Sequence, residues 1–317
     1  MVKLRIRIPG TTTTTHLLIP SDKSQAQVIL RGFSGAPSYY AFGSETLVVD
    51  EFWNGFAQNP CQKIEQIRKQ DYMDLVSQTI SEIHSDTLLH KIVLSRSEYC
   101  PDEGASPKAT FDALEANYSD CTVFALSHPE LGDWMGATPE VLLEKTPLGY
   151  RSMSLAGTRL KGATEWGSKE LEEQQFVTEE IYSTLEALGG VVTRSEPYTR
   201  SAGPVEHVQT WVHTENKELN IADALEALHP TPAVCGTPTS MARELISKLE
   251  QHDRELYTGY IAILGEQPSA SVLLRTMKWH RDGVRFFAGG GITKDSVPLD
   301  EWNETQYKMA ALKDLLS

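Results

Sequence analysis

The hydrophobic and polar positions of the chain change period several times, and each change predicts an element. Val2, Leu4, Ile6 and Ile8 alternate with Lys3, Arg5 and Arg7, the period of a half-exposed strand that ends at Pro9-Gly10. In "DYMDLVSQTISEIHSD", Tyr72, Val76, Ile80 and Ile83 share one helical face, so a helix leads into the run "KIVLSRSEYC" that opens at Lys91. Ile92, Val93 and Leu94 are apolar and bounded by polar residues, which suits a strand packed on both faces. Further strands are predicted at "TVFALSH", "EVLLEKT", "YRSMSLAGT" and "ELYTGYIAILG", while "SVLLRTMKWHRDGVRFFAGGG" reads as a hairpin turning at Asp282-Gly283. Helices are predicted over 168–188, 221–228, 238–251 and 299–316, the third opening on Thr237-Pro238, a cap followed by a first-turn proline. Strands outnumber helices and hairpins mix with helical connections, so the expected class is α+β, folding as one unit.

Composition narrows the function. The 317 residues carry 29 Lys plus Arg against 43 Asp plus Glu, a net charge of -14, which disfavours binding to nucleic acid or to an anionic membrane. A small anionic substrate would need a local cation. Cys61, Cys100, Cys121 and Cys235 are widely spaced with no CxxC pair, so neither a zinc site nor a disulfide framework is expected. "MVKLRIRIPG" lacks a continuous apolar h-region and no run of 18 apolar residues occurs, so the expected location is the cytoplasm. No obligate protein partner is indicated.

Several charged residues sit where apolar ones belong. A lysine opening the Ile92–Leu94 strand is costly to desolvate unless it lies at an exposed strand mouth or has chemistry to perform. In "SKELEEQQFVTEEIYSTLEAL", Val177, Ile181, Leu185 and Leu188 form a core stripe whose backward extension reaches Glu173, with Glu170 a turn earlier. In "LDEWNETQYKMAALKDLLS", Glu304, Lys308, Leu312 and Leu315 share a face, with Glu301 a turn before. Two helices that each aim a carboxylate inward would share a hard divalent cation, although Glu304 and Lys308 also make a favourable exposed pair. Glu140 follows Pro139 at a strand start, where a solvated carboxylate is the default. Arg275 lies inside the apolar "SVLLRTMKW" and must pair if buried, and Gly289 to Gly291 in "AGGGI" would offer backbone N–H groups to an anion.

Taken in order, "KIVLSR", "GATPE", "SLAGTRLKG", "KELEEQQFV", "HPTPAVCG", "RELYTGY", "FFAGGGI" and "EWNETQYK" closely resemble the chorismate-binding enzymes, and among them the isochorismate synthases. The resemblance runs from about Asp71 to the carboxyl end, with residues 1–70 a short, divergent part of a single domain spanning 1–317. It implies large β-sheets packed together with helices outside and a deep Mg2+-dependent site that acts on chorismate. By motif, Lys91 is the base that activates water for attack at C2, and Glu140 the acid that protonates the departing C4 hydroxyl. Glu173 and Glu304 are implied Mg2+ ligands, with Glu170 and Glu301 close by. Tyr257, Arg275, Gly289, Gly291 and Lys308 match positions that hold the substrate carboxylates, and Gly157, Thr158 and Thr231 line the pocket. A lysine acts as a base near neutral pH only if its pKa falls by several units from ~10.4.

The same motifs separate branches. Aminodeoxychorismate synthases carry a nucleophilic lysine where this chain has Ala156, and anthranilate synthases lack the water-activating lysine and have a longer amino-terminal region. Water is therefore the expected nucleophile, and salicylate synthase, which goes on to eliminate pyruvate, is the nearest alternative. Two departures mark this chain: Gln174 follows the metal-binding glutamate and Thr210 stands in "VQTWVHT", both at positions where the family commonly has histidine.

Overall fold

In the computed structural model, described for residues 1–316 except 36–37, 47, 62–65, 102–103, 163–164 and 203–204, strands pair in one continuous order. It begins with β13 (Gly236–Thr237), β5 (Lys91–Pro101), β17 (Gly283–Ile292), β16 (Thr276–His280), β7 (Gly132–Thr138), β6 (Thr122–His128) and β1 (Val2–Arg7). From β1 it passes through β2 (Thr14–Pro20), β4 (Ser38–Thr46), β3 (Val28–Arg31), β14 (Tyr260–Ile263) and β15 (Ser269–Val272). It ends with β8 (Val141–Thr146), β9 (Gly149–Leu160) and β12 (Val205–Thr214), which carries β10 (Val192–Arg194) and β11 (Tyr198–Ala202) on its far edge. Every one of these pairings is antiparallel, and with seven α-helices among the described residues the class is α+β.

The sheet folds back on itself because its two halves share a core. Leu4, Phe124, Trp134 and Phe287 from one half pack with Leu18, Leu30, Ala41 and Ile261 from the other, burying apolar faces that a flat sheet would expose. The outer faces are covered by helices. Along the half containing β6 and β17 lie α1 (Val49–Trp53), α3 (Pro107–Asn117) and α7 (Pro298–Lys313), and against β5 lie α2 (Lys69–Ser85) and α6 (Thr239–Leu249). The second half is covered by α4 (Ser168–Ala187) and α5 (Ile221–Leu228). Among the described residues, no helix is long and apolar enough to cross a membrane.

The alternating basic residues of β1 explain how the amino-terminal strand is held. Lys3 donates to the carbonyls of Glu51 at 3.1 Å, Phe52 at 2.9 Å and Asn54 at 2.6 Å, and Arg7 donates to those of Glu115 and Tyr118. These are the last carbonyls of α1 and α3, which have no partner within their own helices and carry the negative end of the helix dipole.

Two strands are shorter than the apolar pattern predicts. "SVLLRTMKW" breaks after Val272 and resumes at Thr276, with Arg275 at φ 48°. "ELYTGYIAILG" becomes a strand only at Tyr260, after a turn in which Glu255 and Thr258 have φ of 51° and 60°. Cross-chain bonds hold these turns: the Thr258 N–H donates to the Leu273 carbonyl at 2.9 Å and the Leu273 N–H to that of Gly259 at 2.7 Å. Tertiary bonding therefore overrides the local apolar periodicity.

Candidate active site

The folding of the sheet brings β5 and β17 opposite β9 and β12, and a cavity lies between them. Val93 and the glycine run of β17 form one wall, Leu155 to Thr158 and His207 the other, and α7 adds Glu304, Tyr307 and Lys308.

Lys91 is the first residue of β5 and is fully buried, with Nζ 2.8 Å from Glu173 Oε1. It does not sit at a solvated strand mouth. Glu173 reaches it because α4 packs its Val177, Ile181 and Leu185 stripe inward, which turns the preceding helical turn toward the cavity. The strand pairing sets Val93 opposite Gly291. A Cβ at Gly291 would collide with Glu173 Oε1 and Lys91 Cε, so the glycine leaves the space that this ion pair fills.

Glu140 is 1% exposed and is likewise not a solvated strand end. Its backbone carbonyl accepts the Val272 N–H at 3.0 Å, and its Oε1 accepts the Thr231 hydroxyl at 3.2 Å. Oε2 has no hydrogen-bond partner among the described residues. Burial pushes the carboxyl up to about 8, while the Thr231 hydrogen bond and the Lys91 charge pull it back toward the ionised form. A carboxyl so placed holds its proton at neutral pH and has an acid to offer the cavity.

Glu304 and Lys308 do form an ion pair, at 2.6 Å, but it lies in the cavity wall, and Lys308 Nζ also donates to the Gly289 carbonyl at 2.8 Å. Glu301 is 2% exposed and accepts the Ser296 hydroxyl at 2.7 Å. A Cβ at Gly290 would come within 2.9 Å of Glu301 Oε2 and 3.6 Å of Glu304 Oε1. Glu173 and Glu304 both line the cavity, hard oxygen donors of the kind a small divalent cation takes, while Glu301 meets β17 at Gly290, whose Cβ direction is opposite to that of Gly291 beside Glu173. Among the described residues no three Asp, Glu, His or Cys side chains form a ready-made metal cluster. Glu170 stands apart: only its backbone and Cβ approach Gly157, and its carboxylate bends back beside Gly167 at the start of α4.

The remaining polar groups gather on the same cavity. Arg275 and Thr258 line it from their left-handed backbone positions, and Tyr257 stacks on Phe287 with ring centroids 5.6 Å apart. Burial lowers the Arg275 pKa from its usual value. Thr231 lies behind Glu140 as its hydrogen-bond donor, and Ala233 and Val234 of the same loop reach the wall. Arg254 fixes this loop from behind, donating to the carbonyls of Val234 at 2.8 Å and Val93 at 2.7 Å and pairing with Glu250 at 2.6 Å.

The cavity histidine had no sequence signal. His207 lies on β12 with Nδ1 3.1 Å from the Gly157 carbonyl and 3.3 Å from Thr158 Oγ1. Burial, with Arg275 and Lys308 nearby, brings its pKa down to about 3, so the ring is neutral. Residues 207–210 are all buried, and a strand covered on both faces shows no alternation that would single out one histidine.

The match to a model of chorismate binding enzymes extends over residues 53–317. The chain is 34% identical over 250 residues to isochorismate synthase 2, chloroplastic, of Arabidopsis thaliana, an alignment covering 73% of this chain and 44% of that protein. It is 30% identical over 260 residues to isochorismate synthase MenF of Escherichia coli, covering 77% of this chain and 59% of that one. The chain thus spans about half the length of these curated relatives. The structure of the menaquinone-specific isochorismate synthase MenF from Escherichia coli superposes with a TM-score of 0.82 at 21% identity, covering 100% of this chain and 89% of that one, which shows a shared fold. With the family match covering most of its length and the cavity built from its ordered motifs, the chain belongs to the chorismate-binding enzymes.

Proposed function

We propose that this protein is an isochorismate synthase, which adds water at C2 of chorismate and expels the C4 hydroxyl. The observation that carries the reading is the pairing of two wholly buried proton carriers, Glu140 in the cavity wall and Lys91 directly behind that wall against Glu173. As the neutral amine, released from its ion pair with Glu173, Lys91 takes a proton from water as the water oxygen bonds to C2, the ring double bond shifts, and the C4 hydroxyl leaves with the proton that Glu140 holds. The raised pKa of Glu140 supports its role, because an acid ionised at neutral pH has no proton to give.

Chorismate carries two carboxylates, and a chain of net charge -14 must neutralise them locally. Arg275 and Lys308, with Tyr257 and the backbone of Gly289 and Gly291, supply the cationic side of the cavity. Glu173 and Glu304, with Glu301 beside them, would hold Mg2+, which needs only one or two protein carboxylates when water and an anionic substrate complete its shell. Bound there, the ion supplies positive charge against a substrate carboxylate. Ala156 on the opposite wall offers no amine for attack at C2, which favours water as nucleophile.

The test is incubation of the protein with chorismate and Mg2+ followed by chromatographic separation of products. Isochorismate is the expected product. Salicylate with pyruvate would move the assignment to salicylate synthase, and anthranilate formed with ammonia would reject both.

A further inference from the structure

The pairing of β9 with β12 is regular from Tyr150 opposite Thr214 to Ala156 opposite Val208, and then skips to Thr158 opposite His207. Gly157 is the residue left over, a β-bulge at φ 63°. A bulge interrupts the ladder, so its polar backbone groups need other partners. Two side chains provide them. His207 Nδ1 takes the Gly157 carbonyl, and Gln174 Oε1 takes the Ala156 N–H at 2.8 Å.

Gln174 is the residue after Glu173 on α4. It is 4% exposed, and its Nε2 lies 3.1 Å from Ser154 O, 2.9 Å from Ser154 Oγ, 3.3 Å from Thr210 Oγ1 and 3.4 Å from Thr178 Oγ1. The Thr178 hydroxyl donates to the Gln174 backbone carbonyl at 2.9 Å, which leaves its oxygen to accept. One amide therefore ties three elements together: α4, the bulge of β9, and β12 through Thr210. The two positions at which this sequence departs from its family's histidines are in direct contact.

We propose that Gln174 and Thr210 act as one positioning unit, which fixes Gly157 and Thr158 against the helix that carries Glu173. The inference rests on the function proposed above, since Gly157 and Thr158 line the cavity that would hold chorismate. The unit itself contains no ionisable group, while His207 holds the Gly157 carbonyl from the other strand. Gln174 follows Glu173 directly on α4 and accepts from Ala156 beside the bulge, so a change in that amide alters how the two are set relative to each other.

The test uses the full chain with Gln174→Met, Thr210→Val and both together. Gln174→Met keeps the length of the side chain and leaves the Ala156 N–H without its acceptor; Thr210→Val keeps the shape and removes one acceptor of the amide. We expect the chorismate KM to rise about tenfold in Gln174→Met and about threefold in Thr210→Val, with kcat changed less. The double variant should resemble Gln174→Met, because the bond between the two is already gone. If Gln174→Met does not fold, the KM and kcat of Thr210→Val still decide the matter. Lower melting temperatures with an unchanged KM in the folded variants would reduce the network to packing and overturn the proposal, as would fully additive effects on KM. In the ligand-free chain, amide exchange at Ala156 should quicken in Gln174→Met, and an unchanged rate there would overturn the clamp whatever the substrate. A wild-type protein that makes no isochorismate overturns the functional reading alone, because the exchange measurement stands without it.

Discussion

Lys3 and Lys91 both lie on strands of the same sheet, and they show two uses of a buried or half-buried cation. Lys3 spends its ammonium on three carbonyls at the end of α1. Every donor has a fixed acceptor, and the result is an anchored strand. Lys91 is more deeply buried and has one carboxylate, Glu173, beside it. Enclosing an ammonium so completely, with Glu173 the one carboxylate in contact among the described residues, is a costly way to hold a strand in place. On the function proposed above, the number of fixed acceptors, more than the depth of burial, would separate a cation that builds the fold from one kept for chemistry.

Substitutions can break that contrast. The largest effect is expected at the site: Lys91→Ala and Glu140→Ala should each lower kcat by about 100-fold or more, with chorismate affinity falling much less. Both must also slow the reverse reaction, where Glu140 would activate water at C4 and Lys91 would protonate the group leaving C2. Near-normal turnover of Lys91→Ala in both directions would remove the distinction between the two lysines. Next, Glu304→Gln and Glu173→Gln should raise the Mg2+ concentration for half-maximal activity by about tenfold or more, read from a metal titration of the rate. An unchanged titration would take both carboxylates out of the metal site.

Lys3→Met should behave in the opposite way, lowering stability by about 1–2 kcal/mol in chemical denaturation while leaving kcat within a factor of two or so of wild type. A loss of turnover without a loss of stability would invert the comparison. The last test concerns pH. The folded protein holds a proton on Glu140 up to about 8, whereas an unfolded glutamate releases it near ~4.3. The contribution of this proton to stability is complete below the unfolded pKa and is lost as pH rises through the folded one. Glu140→Gln, neutral throughout, should therefore gain melting temperature relative to wild type from about pH 5 to about pH 8. Parallel profiles would mean that Glu140 is already ionised in the folded state.

Much of this was legible in the sequence. The 3.6-residue stripes of α2, α4, α5 and α7 and the hairpin at Asp282-Gly283 appear where apolar periodicity and turn residues set them. The class and the family could be read from strand-rich patterning and eight ordered motifs. Less legible were Thr258 and Arg275, which read as strand interior and instead turn with positive φ at the cavity. The Thr258 N–H is held by the Leu273 carbonyl and the Arg275 carbonyl by the Ala137 N–H, partners from other parts of the chain, and no window of local sequence contains that information. Strained residues of this kind gather at functional sites because surrounding structure must overrule local preference to keep them there. Gln174 was visible as a departure, but its contact with Thr210, 36 positions away, exists only once β9 and β12 have paired beside α4.

The strand order also governs when the site can come into being during synthesis. β5 is flanked by β17, which follows it by most of the length of the chain, and by the two-residue β13. Until β17 has left the ribosome, Ile92 to Leu94 present an apolar edge with almost nothing to pair with, the kind of surface on which nascent chains stick to one another. Contacts this distant in sequence close slowly. Lys91 therefore meets its glycine wall only among the last steps of folding, and a chain cut short before β17 would carry the lysine but have no enclosure to put it in.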